Sequence, residues 1–285
     1  MTRIDANFAV CALLGHPARH SMGPAIHNAA FEELGLPLVY VAHDVAPADL
    51  AAAMAGARAL GYRGLSITMP HKVAALGLVD EADELARAIG CINTVVNENG
   101  RLFGYNSDGE GALDALARGG IAAAGRRVVV LGSGGAARAV AMTLALRAEP
   151  AELAILGVVK DELDLLGRDI GKATGLEPRT QLLDEPSLRA ALEGAEILLH
   201  CTPVGMTPDA KSSLVPAKLL RPELSVFDAV YNPRRTRLLD EAVAAGCRVV
   251  EGMEMFLGQA MVQFQLWTGM PAPAHVMRRA IEARL

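Results

Sequence analysis

Three polar clusters stand at turns that follow apolar, strand-like runs. The first is Gly15-His16-Pro17-Ala18-Arg19-His20-Ser21-Met22-Gly23-Pro24, the second Gly64-Leu65-Ser66-Ile67-Thr68-Met69-Pro70-His71-Lys72, and the third Asn93-Thr94 with Asn106-Ser107-Asp108-Gly109. Open α/β sheets bind ligands on loops at the C-terminal ends of their strands. These clusters supply hydroxyls, amides, a lysine and an aspartate. Reversible reduction of a ketone needs a hydride carrier and an acid for the developing alkoxide. A lysine facing an aspartate can serve, because the carboxylate favours the ammonium form. Taken singly, a lysine or aspartate is most often a solvated surface charge, and Asn106 and Asp108 also suit the start of a helix as caps.

A second constellation is Val128-Val129-Val130-Leu131-Gly132-Ser133-Gly134-Gly135-Ala136-Ala137, an apolar strand, a glycine-rich turn and a helix start. Gly132, Gly134 and Ala137 match G-x-G-x-x-G/A. The first glycine makes the turn, the second admits a pyrophosphate, and the small third residue lets helix and strand pack closely. The helix N-terminus then offers N–H groups to the phosphates. Glycine-rich turns often merely connect elements, but here the flanking strand and helix favour dinucleotide binding. The next strand, Leu153–Leu156, is followed by Gly157-Val158-Val159-Lys160. Neither the acid that binds an NAD ribose nor the arginine that accommodates an NADP phosphate stands at 157–159. Lys160 is left either as a point charge for a phosphate or as a solvent-facing residue.

The elements that must position these groups alternate along the chain. Strands are expected at Phe8–Leu14, Leu38–Val41 and Leu65–Thr68, with helices at Pro24–Leu34 and Pro47–Leu60. This βαβα rhythm implies a mostly parallel sheet covered by helices. A second series starts at Arg127, with a helix over Ala136–Ala148 and strands at Leu153–Leu156, Ile197–His200 and Leu224–Phe227. At ~150 residues per domain, the 285 residues suggest two domains. The expected fold is α/β in two domains: 1–110 as an N-terminal α/β domain, 111–254 as a dinucleotide-binding domain, and 255–285 rejoining the first through a long helix over Met255–Trp267.

Composition excludes several classes. Hydrophobic residues are 52% and charged residues 21%, as in a globular chain. Aromatics are only 4%, so the core is expected to be Ala, Val, Leu and Ile. A formal charge of −5 with no basic stripe argues against nucleic acid. The beginning lacks a signal-peptide pattern, and no uncharged apolar run reaches the ~20 residues of a membrane span. A cytoplasmic protein is expected. The cysteines Cys11, Cys91, Cys201 and Cys247 form no CxxC pair and the seven histidines are scattered, so no metal site is expected.

Read in order, GHPARHSMGP, GLSITMPHK, CINTVV, GYNSDGEG, LGSGGAARA, CTPVGM, VYNPRRTRLL and GMEMFLGQAMVQFQLWTG closely resemble shikimate dehydrogenases, from His16 to Gly269. The resemblance implies NADP-linked interconversion of 3-dehydroshikimate and shikimate, in the route to aromatic amino acids. It implies a substrate domain and a Rossmann-like domain with a cleft closed by hinge motion. By position, Lys72 and Asp108 match the family's catalytic pair. Ser21, Ser66, Thr68, Asn93, Asp108, Tyr231 and Gln259 match its substrate contacts, Tyr231 reaching the carboxylate. Gly132, Ser133, Gly134, Gly135, Ala136, Ala229 and Gly252 match its cofactor positions. Six residues at four places depart from the family pattern. Gly23 stands where a second serine is usual, Ser66 where asparagine is common, Gly157-Val158-Val159 where Asn-Arg-Thr meets the 2′-phosphate, and His200 where asparagine precedes CTPVGM. NAD therefore stays open beside NADP, and so does an NAD-linked quinate dehydrogenase, for which the smaller Gly23 makes room. A non-catalytic shikimate or quinate sensor is the reading of another class, against which the retained Lys72 and Asp108 speak. The expected partner is a small molecule, with the chain a monomer or homodimer.

Overall fold

The computed structural model describes residues 4–284, which divide into two compact units, Met1–Ser107 with Gln259–Leu285, and Asp108–Gly258. In the first unit β1 (Ala9–Gly15), α1 (Gly23–Glu33), β2 (Leu38–Asp44), α2 (Leu50–Ala59), β3 (Gly64–Ile67) and α3 (Lys72–Leu76) are followed by β4 (Glu81–Ala82), α4 (Glu84–Ile89), β5 (Thr94–Glu98) and β6 (Arg101–Tyr105). The helix expected from Pro47 opens instead with a 3₁₀ turn, Pro47–Asp49. The strands form one six-stranded sheet in the order β2-β1-β3-β5-β6-β4.

That sheet is mostly parallel, as expected, with β4 and β6 also parallel and β5 alone running against the other five strands. β1 runs parallel to β2 and β3, but β3–β5 and β5–β6 are antiparallel. The reason is a hairpin: Asn99 (φ 54°) and Gly100 (φ 89°) join β5 to β6. Two central residues at positive φ make the two-residue turn that Asn-Gly favours. Ala12, Leu14, Leu65, Ile67, Val95 and Leu102 pack from these strands into one core.

The second unit contains α5 (Asp108–Arg118), β7 (Arg127–Leu131), α6 (Gly135–Arg147), β8 (Glu152–Gly157), α7 (Lys160–Thr174), β9 (Arg179–Leu182), α8 (Glu185–Leu192), β10 (Ile197–His200), β11 (Ser225–Asp228), α9 (Arg237–Ala244) and β12 (Arg248–Val250). Its sheet is parallel throughout, in the order β12-β11-β10-β7-β8-β9. This is the doubly wound order, and its switch point lies where β7 neighbours β10, the crevice such sheets use for ligands. Val129, Leu131, Leu156, Leu198 and Val226 are buried in its core, as the continuous apolar runs require.

α10 (Gly252–Thr268) begins in the second unit and, from Gln259, belongs to the first; α11 (Ala274–Glu282) follows. Gln259, Gln263 and Trp267 recur every four residues and so share one face of α10. Gly64 of β3 lies flush against the Trp267 indole, where any Cβ would overlap the ring, and the Trp267 Nε1–H donates to the Val95 carbonyl at 3.0 Å. The indole thus closes directly over the sheet backbone.

Candidate active site

In the first unit, Ser21 follows β1, Ser66 lies in β3 and Thr68 just after it, Lys72 opens α3, Asn93 precedes β5, and Gln259 lies midway along α10. A chain of hydrogen bonds links Ser66, Asn93 and Gln259. The Ser66 hydroxyl donates to Gln263 Oε1 at 2.9 Å, and Gln263 Nε2 donates to Thr94 Oγ1 at 3.1 Å. Thr94 Oγ1 donates to Asn93 Oδ1 at 2.7 Å, an oxygen that also accepts from the Ser107 N–H (2.8 Å) and hydroxyl (3.1 Å). With three donors on Oδ1, the Asn93 amide has one orientation, and its Nδ2 donates towards Gln259 Oε1 at 3.4 Å. Asn93, Thr94, Ser66, Ser107 and Gln263 are all buried, so these bonds satisfy groups that would otherwise be costly to bury.

Ser21 Oγ accepts the Gly23 N–H at 3.1 Å. The space beside Gly23 is filled, not open. A Cβ there would stand 3.0 Å from the Tyr40 hydroxyl and ring edge and 3.2 Å from Ser21 Oγ. The room expected for an extra substrate hydroxyl is therefore taken by a phenol. Tyr40 is fixed at the sheet edge, where Asn28 does the work of a neighbouring strand: the Tyr40 N–H donates to Asn28 Oδ1 (2.7 Å) and Asn28 Nδ2 donates to the Tyr40 carbonyl (2.8 Å). Burial pushes the Tyr40 hydroxyl above its ordinary pKa, while a hydrogen bond with Ser66 acts the other way. Under Tyr40, His27 stacks at 4.6 Å between ring centroids. His27 is buried, its Nδ1 has no hydrogen-bond partner, and desolvation lowers its pKa to about 3 against an opposing bond with Gln263.

Lys72 is the first residue of α3 and is half-buried; its carbonyl accepts the Ile92 N–H at 3.0 Å, beside Asn93. The preceding His71 is buried and donates from Nε2 to the Val45 carbonyl at 2.8 Å, which anchors the start of α3. Thr68 follows β3, its N–H on the Leu14 carbonyl at 3.0 Å. Asp108 opens α5 in the second unit and is buried. Tyr231, also in the second unit, is exposed and stacks on Phe256 at 4.9 Å.

The glycine loop lies at the switch point of the second sheet. Gly132 has φ +118°, and a Cβ on it would meet the Cys201 carbonyl at 2.8 Å, so no other residue fits. Gly134 caps α6 without any side-chain cap, and neither Gly134 nor Gly135 has an atom within 4 Å of where a Cβ would point. Open space in front of uncapped helix N–H groups fits a dinucleotide pyrophosphate. The Ser133 hydroxyl donates to Glu162 Oε2 at 2.7 Å. At the end of β8, Val158 and Val159 are exposed, and Lys160 pairs with Asp164 at 2.5 Å.

Behind the loop runs a buried polar strut. His200 Nδ1 bonds Asp228 Oδ1 at 2.8 Å and its Nε2 bonds Thr202 Oγ1 at 2.6 Å. Asp228 also accepts the Val230 N–H (3.0 Å) and the Thr236 hydroxyl (2.5 Å). The Ala229 N–H donates to the His200 carbonyl at 2.8 Å, and Gly252 is close enough to Ala229 and Val230 that a Cβ would stand 2.5 Å from the Val230 carbonyl. The strut therefore fixes the segments that carry Ala229 and Gly252 relative to the glycine loop. All four cysteines are free thiols, three buried and Cys201 half-buried. Burial pushes Cys11 up to about 12 and also raises Cys201. His16 pairs with Asp44 at 2.6 Å, and chiefly that bond holds the Asp44 carboxyl below its ordinary range.

Residues 13–95 match a family model described as the shikimate dehydrogenase substrate binding domain, and 252–282 one described as the shikimate 5'-dehydrogenase C-terminal domain. A shikimate dehydrogenase (NADP(+)) of Moorella thermoacetica is 43% identical over 281 residues, covering 99% of this chain and 95% of that protein. The chain belongs to the shikimate dehydrogenase family. A solved shikimate dehydrogenase in complex with NADP+ matches with a TM-score of 0.93 at 37% identity, covering 99% of this chain and 97% of that one. Quinate dehydrogenase from Corynebacterium glutamicum in complex with NAD matches with a TM-score of 0.89 at 31% identity, covering 97% and 99%.

Sequence reasoning missed Tyr40, His27, Gln263, Glu162 and the Asp228 strut. Gln263 carried a usable signal, because it stands one helical turn beyond Gln259. Tyr40 and Glu162 did not, since their neighbours Gly23 and Ser133 are distant in the chain.

Proposed function

We propose that this chain is an NADP-linked shikimate dehydrogenase that reversibly reduces 3-dehydroshikimate to shikimate, in the route to aromatic amino acids. The observation that carries the reading is the end-to-end likeness to enzymes of that name. Residues 1–110 with 255–285 bind substrate and 111–254 bind the dinucleotide. Ser21 gives its hydroxyl proton to the substrate carboxylate, with Tyr231 as a further donor. Asn93 Nδ2, Gln259, Ser66 and Thr68 hold the ring hydroxyls. Lys72 as ammonium protonates the alkoxide oxygen and takes the proton back in the reverse direction; the Asp108 carboxylate favours the charged lysine and orients the reacting hydroxyl. When bound, NADPH supplies the hydride. Gly132, Ser133, Gly134, Gly135 and Ala136 would hold its pyrophosphate at the start of α6, with Ala229 and Gly252 as further cofactor-binding residues. The reading carries with it a cytoplasmic enzyme, monomeric or homodimeric, acting on a small molecule without nucleic acid or membrane.

The test is steady-state turnover with shikimate and quinate, each with NADP and NAD. Shikimate is expected to be the better substrate; a clear preference for quinate, or no turnover of either, overturns the reading. Lys72→Ala should lower kcat by roughly 10²-fold or more, the range of a positioned acid–base group, with substrate affinity changed far less. Near-normal turnover in a folded Lys72→Ala variant removes Lys72 from the proton step.

A further inference from the structure

The adenosine end of the cofactor site carries an acid that the strand-end residues do not announce. Gly157-Val158-Val159, at the C-terminal end of β8, offer no charge. In the first turn of α7, however, Glu162 reaches back to the glycine loop, where its Oε2 accepts the Ser133 hydroxyl at 2.7 Å. Ser133 in turn rests on the end of β8, since a Cβ on Gly157 would stand 2.9 Å from Ser133 Oγ. The carboxylate thus sits where the glycine loop meets the end of the second strand of the doubly wound sheet. In such folds that corner receives the adenosine ribose, and an acid there accepts its 2′-hydroxyl.

Charge balance at the corner points the same way. From Gly157 to Asp164 there is one cation, Lys160, against Asp161, Glu162 and Asp164. Lys160 is already paired with Asp164. A 2′-phosphate brings close to two negative charges into this field, and the segment 157–164 holds no arginine to compensate. A ribose hydroxyl brings none, and it can donate to Glu162 while Ser133 stays bonded to the other oxygen.

We propose that Glu162 tunes the choice of nicotinamide cofactor in this chain: it accepts the adenosine 2′-hydroxyl of NAD and opposes the 2′-phosphate of NADP, so that the preference for NADP is weakened and NAD is used alongside it. The proposal rests on the reading of the α6 loop as the cofactor site. It is tested by calorimetry of adenosine 2′,5′-bisphosphate and of 5′-AMP binding to the full chain, alongside kcat/KM for NADP and NAD. The wild type should prefer NADP over NAD by less than about 10-fold. Glu162→Gln keeps an acceptor for Ser133 and removes the charge. It should tighten the bisphosphate about 10-fold or more, the scale of one charged contact, change 5′-AMP by no more than a few-fold, and move the kcat/KM ratio towards NADP by a similar factor. Lys160→Ala should leave the ratio within a few-fold. An unchanged ratio in Glu162→Gln overturns the role of Glu162, as does a loss of bisphosphate binding in Lys160→Ala, which would make the lysine the phosphate partner. If neither nucleotide binds, the α6 loop is not the cofactor site and both readings fall.

Discussion

Removing the Asp228 carboxylate should be among the most damaging single changes in the second unit. Asp228 is 0% exposed and takes three donors: His200 Nδ1 at 2.8 Å, the Val230 N–H at 3.0 Å and the Thr236 hydroxyl at 2.5 Å. In Asp228→Ala these lose their acceptor in a place water does not reach. Each orphaned group costs ~1–3 kcal/mol, but the Thr236 hydroxyl can turn elsewhere, so the sum is about 4 kcal/mol. Asp228→Asn should cost only about 1 kcal/mol, because Oδ1 keeps His200 and Val230 while the new amide donates to a reoriented Thr236 hydroxyl. At ~2–4 °C per kcal/mol for a unit of this size, the alanine variant should melt roughly 8–16 °C lower. The assay is far-UV circular dichroism on heating, with tryptophan fluorescence in parallel. The single tryptophan, Trp267, belongs to the first unit, so its transition serves as an internal reference. If Asp228→Ala melts within about 4 °C of the wild type, or the asparagine variant is hit as hard, the accounting of donors is wrong.

His27 should make the first unit sensitive to mild acid. Burial lowers its pKa from 6.5 to about 3, so between those values the unfolded chain binds a proton that the folded chain refuses. Stability is therefore full above pH 6.5 and falls as pH drops, by up to ~1.4 kcal/mol per unit, or about 2 kcal/mol by pH 5. Urea midpoints read by Trp267 fluorescence from pH 7.5 to 4.5 should show this slope, and His27→Phe should flatten it; an equal slope in both refutes the assignment. Gly23→Ser, which restores the usual family residue, should destabilise by ~1–3 kcal/mol through overpacking, because its Cβ would press on Tyr40 at 3.0 Å. A serine variant as stable as the wild type on thermal melting would show that Tyr40 yields freely.

Much of the architecture was legible because its signals are local. The run Val128–Leu131 before Gly132 reads as a buried strand entering a phosphate loop, and β7 and α6 stand there. The single reversed strand of the first sheet, β5, does not follow from the βαβα rhythm, although Asn99-Gly100 is a strong turn signal. Glu162 could not be read, since its partner Ser133 is 29 residues away and only the closeness of the glycine loop to the end of β8 brings them together. The same holds for Gly23. A missing side chain looks like added space in a sequence, whereas the fold has moved a tyrosine from a neighbouring strand into it.

The placement of Trp267 also has a consequence during synthesis. Its indole closes over Gly64, yet the ribosome makes all of 108–258 between the end of the first segment of that unit and its return at Gln259. At ~5–20 residues per second, that is roughly 8–30 s of translation. For that interval the strand backbone at Gly64 emerges without its cover, while the second unit, continuous in the chain, can complete its own sheet. The nascent chain should therefore fold out of order, with the later unit first and the earlier one sealed only when the last helices leave the exit tunnel.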